Sequence, residues 1–515
     1  MIRFRRQSRL SLVLPGLALA ASASLPAQIP RNWRDIATGS VIPDEEYADQ
    51  PYIVKCDDGA WLCAITTSNG HEGAASQHVV ATRSTDFGRT WSSLVAIEAV
   101  GPPESSYVTV LKTPGGRLYA FYNYNQNNLR AVKRTDGKME PRVDTLGAFV
   151  FKFSDDHGQT WSPARYEIPI RETAIDRENV YGGNVRFFWH VGRPLLHGGA
   201  AYVTLHKVGG FGPTFIDRSE GNFLRSDNLL AERDPAGIRW QTLPEGDIGL
   251  RSPRGPIAEE QSIVALSDGT LYCVFRTATD HPGHAYSRDG GRTWTPPAFM
   301  TYGPGARKVK HTRAAVFVWR AANGRFLCWY HNHGGTTYHN QRNPAWIAAG
   351  REVDTDAGRA ISWSEPEILL YDNAPEVRMS YPDFVEDAGR YFVTETQKTI
   401  ARVHEIPAEF IELLWQQDRI TTVARRGVVA ESGADPIRDA RSLARPELPD
   451  LQTNDGEGGG FTIDFRVKFE SLDPGQTLLN ARDEDGNGFA VTTTDRGTLQ
   501  LSLRGPFGPV SRSPF

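Results

Sequence analysis

One eight-residue stretch occurs three times in the chain: STDFGRTW at residues 84–91, SDDHGQTW at 154–161 and SRDGGRTW at 287–294. The shared pattern, Ser-x-Asp-x-Gly-x-Thr-Trp, has the chemistry of a tight turn. The aspartate accepts hydrogen bonds from backbone N–H groups, the glycine supplies a positive φ, and the Thr-Trp pair begins the next strand. A recurring turn of this kind predicts a fold built from repeated units.

A hairpin with a glycine in its turn recurs six times. The six hairpins are Tyr52–Thr66, Tyr107–Asn123, Phe187–His206, Ser262–Arg276, Ala314–His331 and Tyr381–Glu395. The Asp-turn is degenerate in units three and five and absent from unit six, so we expect a strand from near the N-terminus to close the last unit. Six radial four-stranded sheets make an all-β fold, a six-bladed β-propeller, which leaves few exposed edges. The predicted propeller spans residues 45–415.

The N-terminus has the pattern of an export signal. Arginines at positions 3, 5, 6 and 9 precede an apolar run that ends in small residues. This pattern predicts a signal peptide over residues 1–27, cleaved near Ala23 or Ala27, and a secreted or periplasmic mature protein. The apolar run is too short and too interrupted by Pro15 and Gly16 for a membrane span.

The character of the chain changes after Trp415. Residues 416–458 are rich in Arg, Asp, Pro and Gly and predict a linker. Residues 459–515 open with a strictly alternating run at 461–469, followed by strand-like runs at Phe489–Thr493 and Thr498–Leu503. This part resembles the opening of a laminin-G or concanavalin-like jelly roll. It is too short to complete such a sandwich, so we expect truncation or pairing with strands elsewhere.

The bulk composition excludes several classes of partner. The chain has 515 residues, of which 39% are hydrophobic and 23% are charged, and its net charge is −4. Nothing in this balance indicates a nucleic acid or an anionic membrane as a partner. Cys63, Cys273 and Cys328 occupy one equivalent strand position in different repeats, so we expect buried free thiols rather than disulfides. The oligomeric state is left open.

The repeat register predicts which residues converge on one face. If the glycine turns lie on one face, the starts of the first strands and the ends of the second strands share the opposite face. The starts carry Gln50, Tyr107, His190, Glu260 and Tyr381, and the ends carry Thr66, Asn123, His206, Arg276, His331 and Thr396, with Glu395 adjacent. A ring of such side chains predicts a pocket for a polar, anionic ligand.

The Asp-turns and these strand-end residues resemble those of the sialidase (neuraminidase) superfamily of six-bladed propellers with BNR, or Asp-box, repeats. The resemblance covers about residues 45–415. In that family a Glu opens unit four and an Arg follows its hairpin, as Glu260 and Arg276 do here. The family's next arginine matches Arg342, its nucleophilic tyrosine matches Tyr381, and its acidic residue at the end of the following strand matches Glu395.

The chemistry of such a set is that of glycoside hydrolysis. Tyrosine is a poor nucleophile at its free pKa of about 10, and a neighbouring carboxylate can take its proton. A neutral phenol also suits attack at an anomeric centre that bears a carboxylate, where Asp or Glu would be repelled. The resemblance therefore implies an exo-acting hydrolase of a terminal acidic sugar on a glycan, with retention through Tyr381, Glu260 as its base, and Arg276 and Arg342 on the anion.

Two positions depart from the family pattern. The family's Arg-Ile-Pro, which supplies a third clamp arginine, is replaced here by Asp49-Gln50-Pro51. The loop in which the family places its acid/base aspartate has no Asp, and Glu72 is the predicted replacement, with His71 second. With one clamp arginine missing, further pocket candidates are His311, His331, His333, Lys207 and Lys398, which would suit a different acidic or sulfated sugar.

Alternatives remain open at several of these positions. Glu259 competes with Glu260 for the pocket, and Arg313, Arg351 and Arg378 compete with Arg342. A polysaccharide lyase acting on uronic acids and a glycan-binding propeller without turnover are the alternative functions. No motif predicts a cofactor or a metal, and a structural Ca²⁺ held by loop carboxylates and carbonyls is left open.

Overall fold

The computed structural model describes residues 32–333, 342–374, 376–419, 469–495, 497–505 and 508–514. The chain divides into two compact units, Met1–Arg419 and Ile420–Phe515. The predicted signal peptide at 1–27, the predicted linker from residue 420 onward and most of the alternating run at 461–469 lie outside the described residues.

The first unit is a six-bladed β-propeller, as the repeats predict. Each blade is an antiparallel sheet, and consecutive blades follow one another along the chain. The strands of blade one are Tyr47–Lys55, Trp61–Ser68, His78–Ser84 and Val95–Ala96. The strands of blade two are Ser105–Lys112, Leu118–Tyr124, Ala148–Ser154 and Tyr166–Glu167. The strands of blade three are Phe187–Trp189, Leu195–His197, Ala200–Val208, Ser219–Ser226 and Gln241–Leu243.

The second half of the ring repeats this order. The strands of blade four are Glu259–Ala265, Leu271–Arg276, Gly283–Ser287 and Ala298–Phe299. The strands of blade five are Phe317–Arg320, Phe326–Tyr330, Ala345–Thr355, Gly358–Trp363 and Glu367–Leu370. The strands of blade six are Phe384–Asp387, Arg390–Thr396, Ala401–Ile406 and, from the N-terminal side, Ser40–Ile42.

Blade six closes the ring with a strand from near the N-terminus, as predicted. Ser40–Ile42 runs antiparallel to Ala401–Ile406, with Val41 opposite Arg402. The closing strand is the outermost strand of blade six, and it ties the N-terminal part of the propeller to the last blade. The propeller thus begins at residue 40 rather than at residue 45.

In blades one, two and four, the Asp-turn lies at the same end of the blade as the glycine turn of the first hairpin. Ser84, which opens the first Asp-turn, is paired with Trp61, and Trp61 directly follows the hairpin turn of blade one. The other end of the same hairpin, where Tyr47 pairs with Ser68, is the opposite face of the ring. One face of the propeller therefore carries the glycine turns and Asp-turns, and the opposite face carries the other ends of the inner hairpins.

The carboxylate of the turn aspartate accepts hydrogen bonds from a backbone N–H and two hydroxyl groups of the same turn. Asp156 Oδ1 accepts from the Thr160 N–H at 2.9 Å and from the Ser154 hydroxyl at 2.7 Å. Asp156 Oδ2 accepts from the Thr160 hydroxyl at 2.6 Å. Asp86 and Asp289 make the same three contacts in their own turns.

The remaining elements of the first unit are short. Two extra hairpins are Val132–Lys133 with Met139–Glu140 and Phe211–Gly212 with Phe215–Ile216. The helices are Ala174–Arg177 and Ala408–Gln416, and the 3₁₀ turns are Ile36–Thr38, Pro235–Gly237 and Gln417–Arg419. Trp415 of the second helix is buried and donates to the Phe326 carbonyl at 3.3 Å, so residues 416–419, predicted as linker, continue the propeller unit.

The second unit contains a four-stranded antiparallel sheet. Its strands are Thr477–Arg482, Gly488–Thr493, Leu499–Gly505 and Gly508–Pro514. The two predicted strand-like runs correspond to the second and third of these strands. The likeness to a laminin-G or concanavalin-like domain stays a prediction.

All four cysteines are free and buried, and for Cys63, Cys273 and Cys328 the repeat positions predict this. Within the described residues, no helix combines the length and the apolar character that a bilayer crossing requires.

We expect Asp156→Ala to lower the free energy of unfolding of the propeller by about 2 kcal/mol, because the backbone N–H of Thr160 and two hydroxyls lose their acceptor. Asp155→Ala is the matched control, since the neighbouring Asp155 only pairs with Arg117 at the surface and should change stability by about 0.5 kcal/mol or less. Urea denaturation measures both. Equal stability of the two variants would contradict the role assigned to the turn aspartate.

Candidate active site

Four inner strands share an unusual backbone conformation near the axis. The residues that adopt it are Gln50 (φ 57°), Tyr107 (φ 59°), Glu260 (φ 57°) and Tyr381 (φ 46°). In blades one, two and four the pairing with the next strand shifts register at this point, which marks a β-bulge. A left-handed conformation is costly for residues with a side chain and concentrates at functional sites. The bulge breaks the regular alternation and redirects side chains toward the axis.

A cavity of about 290 Å³ lies at this end of the propeller. It is lined by Glu72, Tyr107, Arg142, Trp189, Phe215, Glu260, Arg276, Arg342, Arg378, Ser380, Tyr381, Thr396 and Lys398. The predicted catalytic residues Tyr381, Glu260 and Glu72 and the predicted anion-binding residues Arg276 and Arg342 are in this set. The other sequence-based pocket candidates in it are Tyr107, Thr396, Lys398 and Arg378. These residues lie far apart in the chain, and only the closed ring brings them together.

Tyr381 and Glu260 form a direct pair across the axis. The Tyr381 hydroxyl donates to Glu260 Oε1 at 2.9 Å, and Arg276 Nη1 lies 2.9 Å from the same oxygen. Burial and the charge of Glu260 raise the pKa of Tyr381 well above its usual 10, and the nearby cations only partly oppose this. Tyr381 is therefore a neutral phenol whose proton is already directed at a carboxylate.

Glu259 performs a different task from its neighbour. It is fully buried and does not line the cavity; its Oε2 accepts from Arg276 Nε at 2.7 Å. Arg313 Nη2 lies 3.5 Å from its other oxygen. The bulge thus sends Glu260 to the cavity and Glu259 to the support of Arg276, which resolves the choice between the two glutamates.

Arg342 is a buried cation of the cavity whose hydrogen bonds go to neutral groups. Its Nη1 donates to the Ser380 hydroxyl at 2.8 Å and its Nη2 to the Arg313 carbonyl at 3.1 Å. Among the described residues it makes no ion pair with a carboxylate, and its Nε has no hydrogen-bond partner. Burial lowers the pKa of Arg342, which is nonetheless charged at any physiological pH.

The structure also places the residues that compete with Arg342. Arg378 lines the cavity beside it. Arg313 lies behind the cavity on Glu259, and Arg351 pairs with Asp418 at the exposed edge of blade five. Arg342 and Arg378 are therefore the candidates that can reach a ligand.

Glu72 reaches the cavity from the loop after the second strand of blade one. Its Oε1 accepts from Arg142 Nη2 at 2.7 Å and from Lys398 Nζ at 3.2 Å. Burial alone would raise the pKa of Glu72, but the charges of Arg142 and Lys398 outweigh it and lower the pKa to about 2. In the free protein Glu72 is therefore ionised. His71, the second candidate for the acid, is exposed and does not line the cavity.

Sequence reasoning placed Tyr107 of blade two on the pocket face but missed Arg142 and Asp144 beside it. Tyr107 donates to Asp144 Oδ2 at 2.6 Å, and Arg142 bridges Tyr107, Asp144 and Glu72. Arg142 and Asp144 lie in the insertion between Leu118–Tyr124 and Ala148–Ser154, which carries its own small hairpin. The unusual length of this insertion was the one signal in the sequence that pointed to it.

Lys398 holds the position nearest to the missing clamp arginine. Its Nζ lies 2.7 Å from Asp49 Oδ2, in the segment where the family pattern has Arg-Ile-Pro. The same Nζ lies 4.6 Å from the centre of the Tyr381 ring. A cation therefore approaches this corner from blade six, although blade one contributes none.

Aromatic side chains form the wall of the cavity at blade three. Trp189 and Phe215 lie 6.4 Å apart between ring centres, and the Arg142 guanidinium lies 4.8 Å from the centre of the Phe215 ring. Phe215 comes from the hairpin inserted in blade three and adopts φ 86°. Such a wall offers an apolar surface to the non-polar face of a sugar.

Four predicted substrate-binding residues do not line the cavity: Gln50, Glu395, His311 and His331. The Gln50 side chain is fully buried and donates to the His190 carbonyl at 3.0 Å. Glu395 alternates with Thr396 along its strand, so Thr396 takes the cavity side. Glu395 instead lies 3.6 Å from His404 Nε2 and 3.8 Å from Arg402 Nη1.

The side chains of His311 and His331 make hydrogen-bond contacts with backbone groups and do not line the cavity. His311 Nδ1 accepts from the His331 N–H at 3.1 Å, and its Nε2 lies 2.8 Å from the Ala314 carbonyl. Burial lowers the pKa of His311 to about 4 and that of His331 still further below its usual range. Both rings are therefore neutral. Lys207, a further candidate, is buried against Asp176 in blade three, away from the cavity.

The described residues contain one group of three potential metal ligands close together, Cys56, Asp58 and His157. It lies on the turn face, because Cys56 and Asp58 flank the first hairpin turn and His157 is in an Asp-turn. A thiol and an imidazole do not suit Ca²⁺, which prefers oxygen ligands. This group therefore gives no support to a structural Ca²⁺.

A larger surface depression of about 620 Å³ lies between the outer parts of blades two and three. Its arginine, Arg171, donates to the Pro244 carbonyl at 2.7 Å and so supports the backbone there. The residues that line this depression do not include a hydrogen-bonded tyrosine–glutamate pair next to an arginine, as Tyr381, Glu260 and Arg276 form at the axis.

Comparison with known proteins agrees with this architecture. Residues 139–393 match the family described as BNR repeat-like domain. A sialidase of Clostridium perfringens is 24% identical over 261 residues, which cover 49% of this chain and 61% of that sialidase. The matched region therefore spans about three fifths of that relative's length.

Two solved structures superpose on this chain. A mutant of the Trypanosoma rangeli sialidase displaying trans-sialidase activity superposes with a TM-score of 0.50 at 14% identity, covering 74% of this chain and 59% of that one. A leech intramolecular trans-sialidase superposes with a TM-score of 0.49 at 14% identity, covering 73% of this chain and 69% of that one.

We expect the stability advantage of the wild type over Glu72→Gln to depend on acid pH. The native pKa of Glu72, about 2, lies below its usual value of 4.5, so its ionised form stabilises the fold. This contribution is fully present above pH 4.5 and is lost as the pH falls toward 2. Thermal unfolding at several pH values measures it. Glu409→Gln, at an exposed helix position, is the control, and a pH-independent gap between wild type and Glu72→Gln would contradict the pairing.

Proposed function

From the match to the BNR repeat-like family, the similarity to a sialidase and the geometry of the cavity, we propose that this chain is a glycoside hydrolase that removes a terminal acidic sugar from a glycan. The reaction would retain the anomeric configuration, with Tyr381 as the nucleophile. The observation that carries the proposal is the 2.9 Å hydrogen bond from the Tyr381 hydroxyl to Glu260, at the floor of a cation-lined cavity.

The pair accounts for the first half of the reaction. As the Tyr381 oxygen attacks the anomeric carbon, its proton passes to Glu260 and the bond to the leaving-group oxygen breaks. Arg276, 2.9 Å from the same carboxylate oxygen, keeps Glu260 in place as the acceptor. Because the phenol is neutral before attack, it is not repelled by an anionic substrate, as a carboxylate nucleophile would be.

The second half of the reaction restores the enzyme. Water attacks the tyrosyl-linked carbon from the side that the leaving group vacated and gives up one proton to Glu72, which lost its own proton to the leaving group. Tyr381 recovers its proton from Glu260 as the bond from its oxygen to the carbon breaks. Two successive inversions at one carbon give overall retention.

The cavity supports an anionic, terminal substrate. Arg342, Arg378 and Arg276 face it, and Arg342 has no carboxylate partner among the described residues. Guanidinium groups bind carboxylates through paired hydrogen bonds. A volume of about 290 Å³ suits one substituted sugar ring and favours action at a chain end.

Glu72 is the proposed proton donor to the leaving group. It lines the cavity on the blade-one side, while Glu260 and Tyr381 come from blades four and six. Its ionised state in the free protein means that it must gain a proton before it can donate one. His71 is exposed and is not favoured for this role.

Export is part of the proposal. The arginines and the apolar run within residues 1–27 indicate a signal peptide and a secreted or periplasmic enzyme, where it would meet glycans. Of the described residues that line the cavity none is a histidine, so a lyase that uses histidine as its base finds no support there.

We expect Tyr381→Phe to lower kcat by about a thousandfold or more, because the nucleophilic oxygen is lost while the ring still fills its place. The measurement is release of reducing sugar from a panel of acidic glycans, with the anomer of the first product followed by NMR. Tyr166→Phe, on the outer strand of blade two, is the matched control and should keep full activity.

Wild-type turnover by Tyr381→Phe would refute the tyrosyl mechanism. An unsaturated product absorbing in the ultraviolet would instead favour a lyase, and glycan binding without any product would favour a binding protein.

We also expect Glu260→Gln to lose most of its turnover, since the amide cannot accept the phenolic proton and carries no charge to hold Arg276. The hydrogen bond to Tyr381 is geometrically retained, so binding of the sugar should change less than kcat. A split in which KM rises and kcat is unchanged would assign Glu260 to binding alone.

A further inference from the structure

Lys398 lies at the edge of the cavity, in the turn that follows the strand Arg390–Thr396. Its carbonyl accepts from the Ala48 N–H at 2.9 Å, and its own N–H donates to the Thr396 hydroxyl at 2.9 Å. The turn of blade six is thereby fixed to the inner strand of blade one. Lys398 has φ 75°, a conformation that costs a residue with a side chain and recurs at functional sites.

The Lys398 ammonium group is shared between two carboxylates. It lies 2.7 Å from Asp49 Oδ2 and 3.2 Å from Glu72 Oε1, and the centre of the Tyr381 ring is 4.6 Å away. Burial disfavours its charge, but Asp49 and Glu72 outweigh burial and raise the pKa of Lys398. The ammonium therefore stays charged and is only 19% exposed.

Building on the function proposed above, we propose that Lys398 exchanges Glu72 for the carboxylate of the substrate, and that this exchange lets Glu72 take up the proton it gives to the leaving group. Lys398 is then both a specificity-determining residue and the link between binding and acid catalysis.

The geometry indicates which of the two carboxylates, Asp49 or Glu72, a substrate anion can replace at Lys398. Asp49 is fully buried, does not line the cavity and also accepts from the Tyr47 hydroxyl at 2.9 Å. Glu72 lines the cavity, is 30% exposed and sits in a loop. An anion entering the cavity therefore competes with Glu72 and leaves the Asp49–Lys398 pair intact.

The position of the anion follows from the nucleophile. A carboxylate on the carbon that Tyr381 attacks must lie close to the Tyr381 ring, and Lys398 approaches this ring from one side. Arg276 and Arg342 act on Tyr381 as well, and the three cations together lower its pKa against the effect of burial. The substrate carboxylate thus enters a place where Lys398 is within reach.

The proton balance closes. Once Lys398 is bound to the substrate, Glu72 has lost one cation and has gained a neighbouring anion, so it binds a proton from solvent. That proton passes to the glycosidic oxygen as the bond to carbon breaks, while the Tyr381 proton passes to Glu260. The titratable and charged groups that interact with Glu72 are Tyr47, Asp49, Tyr107, Arg142 and Lys398. Behind them, Asp144 contacts Arg142 and Tyr107, and the Tyr381 ring lies beside Lys398.

Isothermal titration calorimetry of the full chain tests the exchange. The probe is 2,3-didehydro-2-deoxy-N-acetylneuraminic acid, with its methyl ester as the uncharged comparison, at about pH 6 in two buffers of different ionisation enthalpy. We expect the wild type to take up close to one proton per bound acid and none per bound ester. Glu72→Gln should bind the acid without proton uptake.

The variants at position 398 complete the test. Lys398→Met should bind the acid about tenfold more weakly and the ester unchanged, and Lys398→Arg should restore binding of the acid to within about threefold. Lys207→Met is the matched control, since Lys207 is also a buried lysine paired with an aspartate but lies outside the cavity. It should leave both affinities unchanged even if it lowers stability.

Equal affinity of wild type and Lys398→Met for the acid would overturn the inference, as would proton uptake that persists in Glu72→Gln or is missing in the wild type. These results would leave the proposed function standing, because that function depends on turnover by Tyr381. A wild type that binds neither acid nor ester would overturn the inference together with the proposed substrate class.

Discussion

The left-handed residue near the start of an inner strand is the constraint on which the site depends. In a regular strand, consecutive side chains leave on opposite faces. The bulge at Glu259–Ser262 instead sends Glu260 to the cavity while Glu259 supports Arg276 from below. Each such conformation costs about 1–3 kcal/mol, and it recurs in four blades at the same position. The ring of blades is what holds these residues in place against that cost.

Charge at the axis is nearly balanced before any ligand arrives. Arg276 is neutralised by Glu259 and Glu260, while Arg142 and Lys398 share Glu72 with Asp144 and Asp49 as their other partners. A buried charge without a partner would destabilise the fold strongly. Arg276, Arg142 and Lys398 are therefore offset by carboxylates before a ligand binds, whereas Arg342 has no carboxylate partner among the described residues. In the proposed exchange, the ligand anion replaces Glu72 at Lys398.

Much of the fold and part of the site were predictable because they rest on local signals. Glycine turns and Asp-turns set the register, and the register alone led to Glu260, Arg276 and Tyr381. Glu395 does not line the cavity because a one-residue step along a strand reverses the face, and Thr396 occupies the cavity side. Arg142 and Asp144 were missed because they come from an irregular insertion. The path of this insertion depends on contacts between blades, and the repeat pattern of the sequence does not predict such contacts.

Contacts between blades, which the sequence pattern does not show, also explain why the link between Lys398 and the missing clamp arginine is visible only in the structure. Read along the chain, Asp49 in place of a clamp arginine looks like a loss of anion binding. In the folded ring, an acid at that position requires a cation, and the neighbouring blade supplies one at 2.7 Å. Asp49 and Lys398 are 349 residues apart in sequence, so only closure of the propeller makes them partners. The departure at residue 49 is therefore better understood as a change in the source and partners of the third cation, and it is compatible with the anionic substrate proposed above.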